Sequence, residues 1–227
     1  MKNTTKTART TNADGGWLRF FLLLTVAFWM TGCAGSVKDT SRSFTCVVID
    51  AGHGGHDNGA TSRWGGREKD NALNTAMRLQ PKLEAAGFRT VMTRRDDTFI
   101  PLDRRAAISN RQDNTIFVSI HFNHSPKRSA RGSEVYYKSR CSARIAQNIL
   151  NQIIALPGTV NRGVRTANFR VLRKAQYPAV LVECGFLSNP GEGSRCASGA
   201  WHERFAEAIA RGIIIQRHGG LNTLAAQ

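Results

Sequence analysis

Apolar runs of two kinds alternate along most of the chain. Short, near-continuous ones read as buried strands: FTCVVID (44–50), FRTVMTR (88–94), TIFVSIHF (115–122), EVYYK (134–138) and AVLVECG (179–185). A further strand is predicted over 164–174 (VRTANFRVLRK). Between them, apolar residues recur every three or four positions. Residues 69–86 carry Ala72, Ala76, Leu79 and Leu83 on one stripe, with Pro81 as a candidate kink and Gly87 as the stop. Helices are also predicted over 102–112, 142–156 and 201–218. Strands that alternate with helices and are apolar throughout predict an α/β fold. The expected architecture is a mainly parallel twisted sheet flanked by helices, in a single domain spanning 44–218 with a tail at 219–227.

The N-terminus has a different pattern. Residues 1–19 carry Lys2, Lys6, Arg9 and Arg19 against one acid, Asp14, and FFLLLTVAFWM follows at 20–30. A basic segment, an apolar segment and small residues form a secretory signal, too short to span a bilayer comfortably. The sequence TGCA around Cys33 resembles a bacterial lipobox, although Met30 stands where such signals usually have Leu. The resemblance implies a signal peptide over 1–32, lipidation of Cys33, and a tether over 33–43. Ala34 after the cysteine, as in Gram-negative lipoproteins, favours the outer membrane, so the chain is expected on the periplasmic face. A plain secretory signal cleaved near Ala34, or an uncleaved anchor, is the alternative.

The formal net charge is +16 over 227 residues. A balance this basic suits an anionic partner: nucleic acid, acidic lipid or an acidic wall polymer. The basic residues are scattered singly or in pairs, as in Arg94-Arg95 and Arg104-Arg105, without an aromatic stacking platform. Nucleic acid is therefore not expected. Export would permit disulfides, but Cys46, Cys141, Cys184 and Cys196 show no CxxC spacing. Cys46 and Cys184 lie in apolar runs and are expected to be buried free thiols.

The chemistry gathers at predicted strand ends. His53 follows the first strand in DAGHGGHDNGA, which has glycines at 52, 54, 55 and 59. His121 and Glu183 sit at the ends of two other apolar strands, where ligands collect in parallel α/β sheets. Glu68 opens a helix, where a carboxylate also favours the helix dipole. Two imidazoles, a carboxylate ligand and a spare carboxylate are the parts of a hydrolytic zinc site. Asp50 is a candidate to orient an imidazole or to cap the turn, and His56 is a competing ligand. The loop lacks the P-loop lysine and dinucleotide spacing, which excludes those phosphate-binding motifs.

The segments IDAGHGGHDNGA, REKDNALNTAMRL, TRRDDTFIPLDRRAAISN, FVSIHFN, RGSEVYY, ANFRVLRKAQYPAVLVECGFLSN and AEAIARGI occur in one order between Cys46 and Arg217. In that order they resemble the zinc-dependent N-acetylmuramoyl-L-alanine amidases, which cut peptidoglycan. The resemblance implies one Zn2+ held by His53, Glu68 and His121, with Glu183 as the catalytic carboxylate. Ala51 replaces a common proline, and His124 a common small residue. Only Lys138 to Cys141 lies where some relatives carry a long regulatory helix. His124, Asn168 and Arg173 are candidate substrate contacts, and Arg165 is another residue of the same run. A zinc peptidase acting on the stem peptide, or an inactive wall-binding lipoprotein, is the rival reading. No separate wall-binding domain is visible, so recruitment falls to the lipid on Cys33, to an activator protein or to the domain itself.

Overall fold

A computed structural model describes residues 37–219; Cys33, the signal region and most of the 219–227 tail lie outside the described residues. Six strands form one sheet in the order β4-β1-β5-β8-β6-β7. They are β1 (Cys46–Ala51), β4 (Arg89–Met92), β5 (Thr115–Asn123), β6 (Ser133–Tyr137), β7 (Asn161–Thr166) and β8 (Ala179–Phe186). Four of the five pairings are parallel; only β6 with β8 is antiparallel. The predicted mainly parallel α/β sheet is therefore the observed one. Thr61–Ser62 (β2) and Gly66–Arg67 (β3) form a small separate hairpin.

The helices are α1 (Glu68–Ala85), α2 (Leu102–Asn110), α3 (Ala143–Ile154), α4 (Arg170–Lys174), α5 (Pro190–Cys196) and α6 (Gly199–His218). One sheet face carries Val47, Ile49, Ile116, Val118, Ile120, Val180 and Val182 against the apolar stripes of α1, α3 and α6. The helical stripe Ala72, Ala76, Leu79 and Leu83 is fully buried, as the 3.6-residue period requires. Each fully buried Ile or Leu here contributes roughly 1.5–3 kcal/mol. The opposite face carries Val48, Phe117 and Leu181 against the thinner layer of α2 and α4.

Two expectations are corrected. The strand predicted over 164–174 ends at Thr166, and Arg170–Lys174 is helix. Val171, Leu172 and Ala175 are all buried in one cluster. A strand would send the first two to opposite faces, whereas one helical turn brings them together. The expected tether is docked from Lys38 onwards: Lys38 N donates to Gln176 O, Thr40 Oγ1 to Thr115 O and Gln216 Nε2 to Ser41 O. The folded body thus starts before residue 44. Arg94 and Arg105, one from each of the two arginine pairs, are buried at 4% and 2% exposure. Helix α1 runs on through Pro81. Cys46, Cys184 and Cys196 are buried free thiols, as expected for the first two, and Cys141 is partly buried and free. Among the described residues, no helix is long and apolar enough to cross a membrane.

Candidate metal centre

Three elements deliver the three expected ligands. His53 stands in the loop after β1, Glu68 is the first residue of α1, and His121 lies near the carboxyl end of β5. His53 has φ 58, a conformation uncommon outside glycine. Two glycines let the loop close on its neighbours. A Cβ on Gly52 would come within 2.4 Å of the His121 ring, and one on Gly59 within 2.6 Å of Glu68 Oε2. The loop carbonyls are held by buried cations. Arg94 and Arg105 both donate to Ala51 O, at 2.9 and 2.6 Å. Arg94 also reaches Gly52 O, Arg105 reaches His53 O, and Lys69 reaches Gly55 O.

Asp50 does not orient an imidazole. It is fully buried and accepts from Arg105, Thr93 and Ser119 at 2.6–2.9 Å. Asp57 takes the orienting place, with Oδ2 2.8 Å from His53 Nδ1. An imidazole that donates from Nδ1 turns the Nε2 lone pair toward Glu68 Oε1, 3.1 Å away. The same oxygen lies 2.8 Å from His121 Nδ1 and accepts from Phe122 N, while Oε2 accepts from Ala60 N. One ligand atom from each of His53, Glu68 and His121 lies within 4.8 Å of the others. Converging neutral imidazole nitrogens and a carboxylate repel one another unless a proton or a cation sits among them. Two nitrogens and one carboxylate oxygen are a zinc-type donor set.

The electrostatics follow from this crowding. Burial by itself pushes the Glu68 carboxyl up, but hydrogen bonds and charge from His121 and His53 outweigh it and hold the carboxyl well below its usual range. Burial likewise lowers His53, and Glu68 with Asp57 reverses the sign, so its pKa ends above 6.5.

Glu183 is the register partner of His121 on β8, and Glu134 on β6 is in turn the partner of Glu183. The three side chains therefore share one sheet face at one strand end. Glu183 Oε2 is buried with no hydrogen-bond partner. Burial and then the charges of Glu68 and Glu134 push its carboxyl well above the usual carboxylate value. Glu134 itself pairs with Arg162 and Arg165 at 3.4 and 3.3 Å and accepts from Asn123 Nδ2. Just past Glu183, the buried Glu192 of α5 accepts from Phe186 N and Gly132 N and so pins the strand end.

His53, Glu68, His121 and Glu183 all line one cleft of about 550 Å3. His124 lines it too. Asn168, Arg173 and Arg165 do not; Phe169 and Arg170, which sequence reasoning passed over, take that wall. His56 packs against Phe99 and stands outside the ligand cluster. Asp57, Glu134, Arg94 and Arg105 were also missed as parts of the site. Only the clustering of acids and arginines beside glycine loops could have pointed to them.

Fold and site together define a class: one α/β domain with a candidate metal centre at the carboxyl ends of its parallel strands, the arrangement of hydrolytic metalloenzymes. The family model for N-acetylmuramoyl-L-alanine amidase (Amidase_3) matches residues 47–215, and the chain belongs to that family of cell-wall amidases. YqiI of Bacillus subtilis is 35% identical over 199 residues, covering 86% of this chain and 95% of YqiI. The N-acetylmuramoyl-L-alanine amidase LytC of Bacillus subtilis is 36% identical over 172 residues, covering 74% of this chain but only 34% of LytC. The catalytic domain of the amidase CwlV from Bacillus (Paenibacillus) polymyxa superposes with a TM-score of 0.72 at 36% identity, covering 75% of this chain and 96% of that domain.

Proposed function

We propose that the protein hydrolyses the amide between N-acetylmuramic acid and the L-alanine of peptidoglycan stem peptides, with one zinc ion held by His53, Glu68 and His121. The observation that carries this reading is the convergence of three metal-type acceptors beside a buried, partnerless carboxylate oxygen on Glu183. Zinc at such a donor set supplies Lewis-acid chemistry, polarising a carbonyl and acidifying a water. The chain does the rest. Glu183 Oε2 accepts a proton from the attacking water and returns it to the nitrogen of the departing alanine. Asp57 holds His53 in the tautomer that leaves Nε2 free, and the Arg94–Arg105 brace keeps the His53 loop in place.

A wall substrate requires export, and the N-terminal signal with lipidation at Cys33 would supply both export and a membrane tether, at the outer membrane by the Ala34 signal. Recruitment by an activator protein is part of the same reading. His124 lines the cleft, which supports it as a substrate contact, whereas Asn168 and Arg173 do not line it. The test is digestion of purified sacculi with and without a chelator, read by mass spectrometry. Free, full-length stem peptides that vanish with chelator and return with zinc are expected. Shortened peptides still attached to sugar would assign a peptidase, and no release under any metal would make the domain a binding protein.

A further inference from the structure

Beside the cleft lies a second groove of about 340 Å3 that the hydrolytic centre leaves unused. Its lining holds Arg63, Arg128, His124, Trp64 and four serine or threonine residues, and no Asp or Glu. Trp64 stands in the turn between β2 and β3, with the Arg63 and Arg128 guanidinium carbons 4.4 and 5.3 Å from its ring. Among the described residues, neither guanidinium has an acidic partner. Other exposed arginines also lack an acidic partner; what marks Arg63 and Arg128 is that both lie over one indole and line one groove without an acid. Trp201 also carries two guanidiniums, but one of them, Arg195, is paired to Glu192. His124 lines both the groove and the cleft, so the two are continuous at that residue.

Resting on the amidase reading, we propose that this groove binds the carboxylates of the substrate's peptide arm, on the leaving-group side of the scissile amide. A guanidinium held against an indole face is oriented and less hydrated, yet keeps its fork of donors for a carboxylate. The hydroxyls supply further donors, and the volume suits one or two residues.

The full-length, zinc-loaded protein would be titrated with the free peptide L-Ala-D-isoglutamyl-meso-diaminopimelate and with its fully amidated form, followed by calorimetry. The acid form should bind about tenfold tighter than the amide, a modest value for charge-assisted contacts at a partly exposed site. The double variant R63Q/R128Q should lose that preference, and R63K/R128K should recover part of it. In turnover, the KM for acid muropeptides should rise about tenfold in R63Q/R128Q with kcat unchanged, while the amidated substrate shifts less than about twofold. Equal affinity of the wild-type protein for acid and amide overturns the proposal, even if the variants fail to fold. So does a preference that persists in R63Q/R128Q, or one that moves to phosphatidylglycerol vesicles with peptide binding unaltered. Sacculi left intact by a protein that still prefers the acid peptide would refute the hydrolytic reading and leave the groove standing.

Discussion

Replacing Glu183 by glutamine separates chemistry from structure at the site. The side chains are nearly isosteric, and Glu183 Oε2 has no hydrogen-bond partner to lose. The substitution removes a carboxyl buried between the charges of Glu68 and Glu134. If Glu183 moves the proton, activity should fall by about 10^2–10^4, the usual range for a general acid–base group. At about 1.36 kcal/mol per tenfold, that is roughly 3–5 kcal/mol of barrier. Zinc content should not change. The metal-free protein gives a second readout. The native carboxyl is raised above its unfolded value of about 4.3, so its favourable contribution is complete below that pH and is lost as pH rises through the folded value. Glutamine escapes this loss. The Tm of Glu183→Gln should therefore gain on the wild type as pH rises from about 4 to 8 and match it at lower pH. A zinc-replete variant within tenfold of wild-type rate, or a Tm difference that ignores pH, refutes the reasoning.

Asp57→Asn should cost about 10–100-fold in zinc affinity with the fold intact, because His53 loses the partner that sets its tautomer; competition with a chromogenic chelator measures it. Gly52→Ala should do at least as much harm, since its Cβ would lie 2.4 Å from the His121 ring; full metal binding in that variant would show the loop to be loose. Arg105→Met leaves the buried Asp50 without its cation and should destabilise the domain by about 3 kcal/mol or more in denaturant melts. Zinc affinity should fall as pH drops through the raised value of His53, beginning above 6.5, because proton and metal compete for its nitrogen. An affinity flat from pH 5 to 8 would argue against His53 as a ligand.

Much of this protein is legible locally. Apolar periodicity gave the strands β1, β5 and β8 and the buried stripe of α1, because burial imposes those periods on the chain itself. His53, His121 and Glu183 were legible at strand ends for the same reason, and Glu68 by its place at a helix start. The roles of Asp50, at the end of β1, and Asp57, seven residues on in the following loop, were not. Both are acids close to glycines in sequence, and only the packing of Arg105, Thr93 and Ser119 around Asp50 leaves Asp57 to meet His53. Nothing local to Arg94 and Arg105 marks them as a brace, because the loop carbonyls they serve lie more than 40 residues away in sequence. The pairing of Glu183 with His121 on one side and Glu134 on the other is a matter of sheet register, and register depends on strands far apart in sequence. Sequence alone thus determined the kinds of groups and the elements that carry them. Tertiary structure decided which acid orients, which braces and which is left with a free oxygen, because those roles depend on neighbours that only folding supplies.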